Sequence, residues 1–285
     1  MTPISHHAGT TTATRFLTRR ALLRAGWTDR QLAAAVADGR LLKPRPNAYL
    51  PPGVHTDTID ACALGGRLTC VSELARRGVF VLEQPALHVH LHENRRRAPV
   101  LARPVRRHWD RLRRMPPLGA TSVGAFDAVL QAVRCQPPRA AVATLDSALH
   151  LGALHPDDLD ELFRQLPRRH AVLRKLIDSR AESGPETLVR LMLRSLGARF
   201  DVQVRIRGVG RVDFVVDGWL IVECDSEAFH STWEDQRRDR RRDQAAAALG
   251  YSTYRPIAED IMWRPEEVRA ALAGLLGSRR RGRRR

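Results

Sequence analysis

The spacing of apolar residues near the N-terminus predicts two short helices followed by a hairpin. Each helical pattern starts after a capping threonine, Thr18 or Thr28, and each ends at a glycine. A turn at Pro46-Asn47 separates two short strand patterns. This order is typical of a winged helix-turn-helix, so we predict a DNA-binding module over residues 14–56. Residues 1–13 are small and polar, and we expect them to be disordered.

Three basic residues would lie on the wing of this module and contact DNA: Arg40, Lys43 and Arg45. A small helical cap without DNA contact is the alternative. The patterns over Thr18–Gly26, Thr28–Gly39 and Arg40–Tyr49 resemble the winged-helix N-terminus of AbiEi-type antitoxin and regulator proteins. The resemblance implies DNA binding, transcriptional regulation and a toxin as a further partner.

The middle region, residues 57–178, mixes helix and strand patterns. In the segment Leu87–His92, apolar residues and histidines alternate strictly, which predicts a strand. The alternation places three histidines on one face, and such a set could ligate zinc: His88, His90 and His92. Because no nearby cysteine or carboxylate completes the set, we expect a solvated polar face instead.

Residues 179–277 predict a third domain, in which a helix, a three-stranded meander, a helix, a strand and a final helix follow one another. Pro185 begins the first helix and Pro265 the last, since proline is favoured at the first helical position. An arginine-rich tail follows at residues 278–285. Together the three regions predict a mixed α/β protein.

Three acidic residues cluster in the second and third strands of the meander: Asp213, Glu223 and Asp225. Their neighbours are apolar, and a charge buried among apolar side chains is costly unless it is paired or bound to a metal. Carboxylate oxygens are the ligands that Mg²⁺ and Mn²⁺ prefer. A divalent ion there could activate a water for attack on a phosphodiester, so we predict a metal site at these acids.

The turn at Asp217-Gly218 decides whether this site can form. A two-residue turn would pair Asp213 with Val222 and direct Asp213 and Glu223 to opposite faces of the sheet. A three-residue turn with Gly218 in the left-handed conformation would bring both acids to the same face. The metal site therefore requires a loop of three or five residues.

A set of motifs spans this region in a defined order: Asp213, Glu223-Cys-Asp225, Phe229-His230, Asp239-x-x-Arg242-Asp243, Leu249-Gly-Tyr251 and Arg255. They resemble the Vsr-like (very-short-patch-repair-like) endonuclease domains of the PD-(D/E)XK superfamily. The resemblance implies a mixed sheet flanked by helices, Mg²⁺-dependent cleavage of nucleic acid, and metal ligation by Asp213 and Glu223. Glu186 then matches a further acid, and His230 matches a histidine that assists the attacking water or the leaving group.

The chain departs from that superfamily at its usual lysine, which is Asp225 here and would be an additional metal ligand. The role of the lysine would fall to His230, to an arginine or to no residue, and the superfamily also contains inactive members. Salt bridges are the structural alternative to a metal, and the candidate pairs are Asp213 or Glu223 with Arg211 or Arg242, and Glu186 with Arg190. His230 would then be an ordinary loop residue.

The formal net charge of +17 indicates a polyanionic partner, for which DNA is the first candidate. Arginines alternate with aspartates along the predicted helix from Ser231 to Ala248. We expect some of these arginines to bind phosphates and the others to form pairs within the helix. The candidates for phosphate binding are Arg237, Arg238 and Arg241.

The chain shows neither a secretory signal nor the about 18 consecutive apolar residues of a membrane span. Its four cysteines have no CxxC pairing, so we expect reduced and mostly buried thiols in a cytoplasmic protein: Cys62, Cys70, Cys135 and Cys224. The features together predict a divalent-metal-dependent DNA endonuclease that its winged helix targets to DNA. The alternatives are an AbiEi-like antitoxin or transcriptional regulator with an inactive nuclease-like domain, and an RNA-processing nuclease.

Overall fold

The computed structural model describes residues 14–92, 99–225 and 233–282 of the chain. These residues form two compact units. The first contains the residues up to Val79 together with Glu83–Cys135, and the second contains Phe80–Leu82 together with the residues from Gln136 onward. Both units combine helices with strands, so the predicted mixed α/β class is confirmed. Among the described helices, none has both the length and the apolar character that crossing a membrane requires.

The first unit begins with two helices and a hairpin: α1 (Arg19–Arg24), α2 (Asp29–Ala37), β1 (Leu42–Arg45) and β2 (Ala48–Leu50). The hydroxyls of Thr18 and Thr28 accept hydrogen bonds from the first turns of the two helices, as predicted. Asn47 adopts a φ of 59° in the hairpin turn, a conformation that asparagine tolerates better than most residues. The predicted succession of two helices and a hairpin is thus present, and its binding to DNA remains a prediction.

The remainder of the first unit surrounds a small mixed sheet. Its elements are α3 (Thr56–Ala63), β3 (Arg67–Leu68), α4 (Cys70–Arg76), β4 (Leu87–His90), β5 (Val105–His108) and α5 (Ala125–Cys135). Strand β4 is central, antiparallel to β3 and parallel to β5. Gly66 precedes β3, and a Cβ atom there would lie 2.4 Å from Val89 and 2.6 Å from the carbonyl oxygen of His90. Only glycine therefore allows the chain to approach β4 this closely.

The second unit contains a four-stranded sheet, with helices before, within and after it in the sequence. The segments before the sheet are α6 (Pro138–His150), α7 (Asp158–Gln165), a 3-10 helix (Arg168–Leu176) and α8 (Gly184–Ser195). The sheet and the helices around it are β6 (Phe200–Ile206), β7 (Gly210–Val216), β8 (Leu220–Val222), α9 (Trp233–Ala248), β9 (Ser252–Tyr254), α10 (Ala258–Trp263) and α11 (Pro265–Gly282). The strand order is β6-β7-β8-β9, with only the β8–β9 pair parallel. The predicted order of elements is confirmed, and the short helix α10 is an addition.

Both faces of this sheet are covered by helices. One face packs against α8, α10 and α11, where the buried residues include Leu188, Leu193, Phe214, Val222, Ile261 and Leu272. The other packs against α9, with Val212, Val215, Ile221 and Ala246 buried. Each large apolar side chain contributes roughly 1.5–3 kcal/mol when fully buried, which explains why β7 and β8 are almost entirely apolar. Asp213 is the only acidic residue within these two strands.

A buried ion pair joins helices α6 and α8. Arg190 Nη2 lies 2.6 Å from Asp146 Oδ2, and both side chains are 1% exposed. Asp146 also accepts hydrogen bonds from the Thr187 hydroxyl at 2.9 Å and from the Asp178 backbone N–H at 2.8 Å. Burial raises the pKa of the Asp146 carboxyl, and the Arg190 guanidinium acts in the opposite direction. Since Glu186 lies in the first turn of α8, this pair fixes the helix that carries that acid.

Replacing Arg190 by methionine should lower the free energy of unfolding by about 3–5 kcal/mol, because it leaves the Asp146 carboxylate buried without its cation. Urea unfolding followed by circular dichroism measures the change. The matched control is Arg269→Met, which removes an exposed ion pair with Glu266 and should cost only about 0–1 kcal/mol. Equal stability of the two variants would show that the buried pair does not anchor α8.

Candidate functional site

The loop between β7 and β8 has the length that the predicted site requires. Val216 pairs with Leu220, so three residues form the loop, and the expectation of an odd loop is confirmed. Gly218 has a φ of 74°, the left-handed conformation predicted for it, and Asp217 also has a positive φ of 48°. The backbone N–H of Asp217 donates to the Arg199 carbonyl at 2.7 Å, and its carboxylate accepts from the Arg199 N–H at 3.2 Å. These contacts hold the non-glycine residue in that conformation.

The register that follows from this loop brings two acids to neighbouring positions of adjacent strands. Phe214 pairs with Val222, and the same register continued by one residue places Asp213 opposite Glu223. One oxygen of Asp213 accepts a hydrogen bond of 2.8 Å from the Cys224 backbone N–H. Burial raises the pKa of Asp213 to about 6, the Cys224 hydrogen bond opposes the shift, and the negative charges of Glu186 and Glu223 add to it. The pKa of Asp213 therefore depends on the charges of the other two carboxylates.

Glu186 is held at the beginning of α8 with its side chain turned inward. The residue is 7% exposed, and Ser183 caps the helix by accepting from the Glu186 N–H. The Glu186 carboxylate accepts from the Glu182 backbone N–H at 2.9 Å and from the Gln203 amide at 2.8 Å. The alternative that Glu186 pairs with Arg190 is wrong, because Arg190 is bound to Asp146 in the interior.

Gln203 is a site residue that the sequence analysis missed. Its backbone φ is 54°, which is uncommon for a residue other than glycine and recurs at functional sites. Phe214 and Val212 pack into different core clusters, although residues two apart in a regular strand share a face. The regular alternation is therefore broken beside Gln203 and Asp213. The Gln203 Oε1 atom is buried and has no hydrogen-bond partner, so an acceptor oxygen lies unsatisfied next to Glu186.

Glu223 is bound by two arginines. Arg242 Nη2 lies 2.7 Å from one carboxylate oxygen, and Arg255 donates to the other at 2.9 and 2.6 Å. The predicted alternative of a Glu223–Arg242 salt bridge is thus confirmed, and Arg255 adds a second cation. Arg255 also bonds to Asp243 at 2.8 Å. Two guanidinium groups therefore lie beside the Glu223 carboxylate.

The other predicted site residues are placed differently. Asp225 is exposed and joins Ile257 through a backbone bridge. The predicted salt bridge from Arg211 to an acid of the site is wrong, since Arg211 binds Glu182. Within residues 14–92, 99–225 and 233–282, Asp213, Glu223 and Asp225 do not bring three ligand oxygens within 4.8 Å of one another. His230 lies outside the described residues.

The first unit contains a separate cluster of metal-ligand side chains: Cys70, His88, His108 and Cys135. One ligand atom of each lies within 4.8 Å of those of the other three. His108 Nε2 lies 3.1 Å from His88 Nδ1. The expectation of a solvated histidine face is wrong for His88 and His90, which are 5% and 8% exposed, and is confirmed for His92, which is exposed. Of these three histidines, only His88 belongs to the cluster. Cys70, His108 and Cys135, which are distant from β4 in sequence, complete the ligand set that this strand alone does not provide.

The cluster combines buried thiols with buried imidazoles. Cys70 begins α4 with a φ of 53°, a strained conformation that costs on the order of 1–3 kcal/mol at a residue other than glycine. A hydrogen bond from the Cys70 thiol lowers the pKa of Cys135, and burial raises the pKa of Cys70. Burial also lowers the pKa of His108 to about 4. A neutral imidazole and a thiolate, which the lowered pKa values of His108 and Cys135 favour, are the protonation states that transition metals bind.

The predicted DNA-contacting residues differ in their exposure and in their contacts. On the wing, Lys43 is exposed above the Tyr49 ring, whereas Arg40 is bound to Asp38. Arg45 turns inward and donates to the Cys62 carbonyl at 3.0 Å. Three predicted phosphate ligands on α9 are exposed: Arg237, Arg238 and Arg241.

Comparison of the chain with models of known protein families and with curated proteins finds no match.

Replacing Asp213 by asparagine should stabilise the protein at neutral pH. The folded state raises the pKa of Asp213 from its ordinary 3.8 to about 6, so ionising this carboxyl costs stability as the pH rises through that interval. We expect a gain of about 1–2 kcal/mol at pH near 7.5, allowing for partial exposure, and none at pH near 4. Urea unfolding at both pH values measures it. Asp201→Asn, at an exposed position in β6, is the control and should change neither value.

Proposed function

We propose that the second unit binds one divalent ion, Mg²⁺ or Mn²⁺, and hydrolyses phosphodiester bonds in DNA. The observation that carries the proposal is the set of oxygens around Asp213. A half-buried carboxylate with a raised pKa lies near Glu186 and Glu223, and an unsatisfied amide oxygen of Gln203 lies next to Glu186. A bound cation would neutralise the acids and satisfy the acceptor together.

The chemical type of the donors suits a hard divalent cation. Carboxylate and amide oxygens are the ligands of Mg²⁺, and the observed register supports a common face for Asp213 and Glu223. Asp213 would be the principal ligand, with Glu223 and Glu186 completing the acidic side, and Asp225 remains a candidate for an additional contact. The ion, when bound, would lower the pKa of a coordinated water and polarise the phosphodiester. His230 is the candidate for assisting that water.

The arginines around Glu223 suit the same reaction. Arg242 and Arg255 contact Glu223 from helix α9 and from the end of strand β9. A metal ion bound to Glu223 would release part of this guanidinium charge for a phosphate oxygen, the role that the superfamily gives to its lysine. Arginine forms bidentate hydrogen bonds with phosphate, so these arginines could serve in place of that lysine.

The charge of the chain supports DNA as the substrate. The net charge is +17, and α9 presents exposed arginines between Arg237 and Arg241. Phosphate contacts of this kind position a protein on the duplex without reading its sequence. The N-terminal helices and hairpin would add a second DNA contact, through the exposed Lys43 of β1.

A binding protein without nuclease activity is the second candidate function. The double ion pair at Glu223 favours it, because a carboxylate that two arginines already neutralise has less need of a metal. In that case the protein would be an AbiEi-like antitoxin or transcriptional regulator that binds DNA and a toxin partner. Its nuclease-like fold would then serve only as a scaffold.

Incubation of the protein with supercoiled plasmid separates the two functions. We expect nicking that depends on Mg²⁺ or Mn²⁺, and that Asp213→Ala or Glu223→Ala reduces by about 100-fold or more. Gel electrophoresis of the plasmid forms provides the rate. Asp201→Ala is the matched control, because it removes an exposed acid of the same sheet. Intact plasmid in every buffer, together with tight DNA binding, would contradict the enzyme and support the regulator.

Double replacement of Arg237 and Arg241 by glutamine should weaken DNA binding and its dependence on salt. Removing one phosphate-binding arginine reduces the slope of log K against log salt by about 0.9, so the slope should fall by about 1.8. Fluorescence anisotropy over a series of salt concentrations measures it. The control is Arg269→Gln on α11, an exposed arginine outside α9. An unchanged slope would show that α9 does not contact the DNA backbone.

A further inference from the structure

We propose that the first unit holds one structural Zn²⁺ ion between Cys70, His88, His108 and Cys135. The four ligand atoms lie within 4.8 Å of one another. In a tetrahedral zinc site, bonds of about 2.0–2.3 Å place the ligand atoms about 3.3–3.8 Å apart. Small side-chain adjustments therefore bring the observed cluster to that geometry. The proposal concerns the first unit only and does not depend on the proposed nuclease function.

The ligand chemistry selects zinc over the ion proposed for the second unit. Two thiolates and two imidazoles are soft and borderline ligands, which bind Zn²⁺ well and Mg²⁺ poorly. Two thiolates also cancel the charge of a divalent cation, so the occupied site would be neutral and could be buried at low cost. Cys70 is fully buried, and His88 and His108 are 5% and 7% exposed.

The ligands come from four different elements, which indicates a structural role. Cys70 begins α4, His88 lies in β4, and the other two ligands end β5 and α5. One ion would thus join both strands of the parallel pair to the two helices beside them. Four protein ligands leave no open position for a substrate, which is the arrangement of structural rather than catalytic zinc.

The surroundings of the cluster hold its members in place. The Thr69 hydroxyl, directly before Cys70, donates to the buried Gln131 side chain on α5. The Ser72 hydroxyl accepts from the His88 backbone N–H at 2.9 Å. These bonds fix the start of α4 against both β4 and α5, as hydrogen bonds around metal ligands commonly do.

A cavity of about 460 Å³ gives the site a path for metal entry. His108 and Cys135 line it together with Arg106, Arg107, Asp110 and Arg134. A metal reaching the cavity would therefore meet the one ligand cysteine that is not fully buried.

The metal content of the purified full-length protein tests the proposal. We expect inductively coupled plasma mass spectrometry to find one zinc ion per chain, and Co²⁺ added in exchange to give the visible absorption of a tetrahedral thiolate site. Cys135→Ser and His108→Ala should each weaken zinc binding by more than the 10- to 100-fold that removing a hydrogen-bond partner of a ligand costs. Asp213→Asn should keep its zinc, which separates this site from the proposed nuclease centre.

Cys62→Ser is the matched control, because it removes another buried thiol of the same unit and should leave the zinc content unchanged. The zinc content of the wild-type protein tests the proposal even where a ligand variant fails to fold. Protein with well under one zinc ion per chain and no uptake of added Zn²⁺ or Co²⁺ would overturn the proposal. Iron in place of zinc, or a Cys70–Cys135 disulfide in protein purified under reducing conditions, would also contradict it.

Discussion

The register between β7 and β8 is the constraint on which the candidate nuclease site depends. Side chains alternate between the two faces of a sheet, so a slip of one residue would move Glu223 to the face opposite Asp213. The three-residue loop after Val216 prevents that slip, and the contacts between Asp217 and Arg199 hold the loop in its left-handed conformation. A local backbone feature with no chemistry of its own thus determines whether the acids can act together.

Arginine side chains neutralise several of the acidic residues in and near the candidate site. Asp146 and Arg190 neutralise each other in the interior and fix α8, which positions Glu186. Glu223 has two arginine partners, whereas one Asp213 oxygen accepts only a backbone N–H. The second unit therefore stabilises most of its buried charge internally and leaves Asp213 with a raised pKa. Carboxyl groups with pKa values raised by burial and by neighbouring acids are common at functional sites.

Local patterns allowed much of this architecture to be predicted from the sequence. Capping threonines and glycines located the N-terminal helices, and runs of apolar residues located the strands around Asp213. The metal-ligand cluster could not be predicted in this way, because Cys70 and Cys135 are far from His88 in sequence and only folding joins them. Gln203 was missed for a similar reason, since its irregular backbone and its contact with Glu186 are tertiary features.

Iron-directed cleavage of the polypeptide tests most directly whether Asp213 and its neighbours hold a divalent metal. Fe²⁺ bound in place of Mg²⁺ generates hydroxyl radicals, in the presence of ascorbate and peroxide, that cut the chain near the ion. The account predicts cuts beside Asp213 in β7 and beside Glu223, which excess Mg²⁺ suppresses and Asp213→Asn abolishes. Cuts confined to other parts of the chain, or cuts at Asp213 that persist in Asp213→Asn, would contradict it.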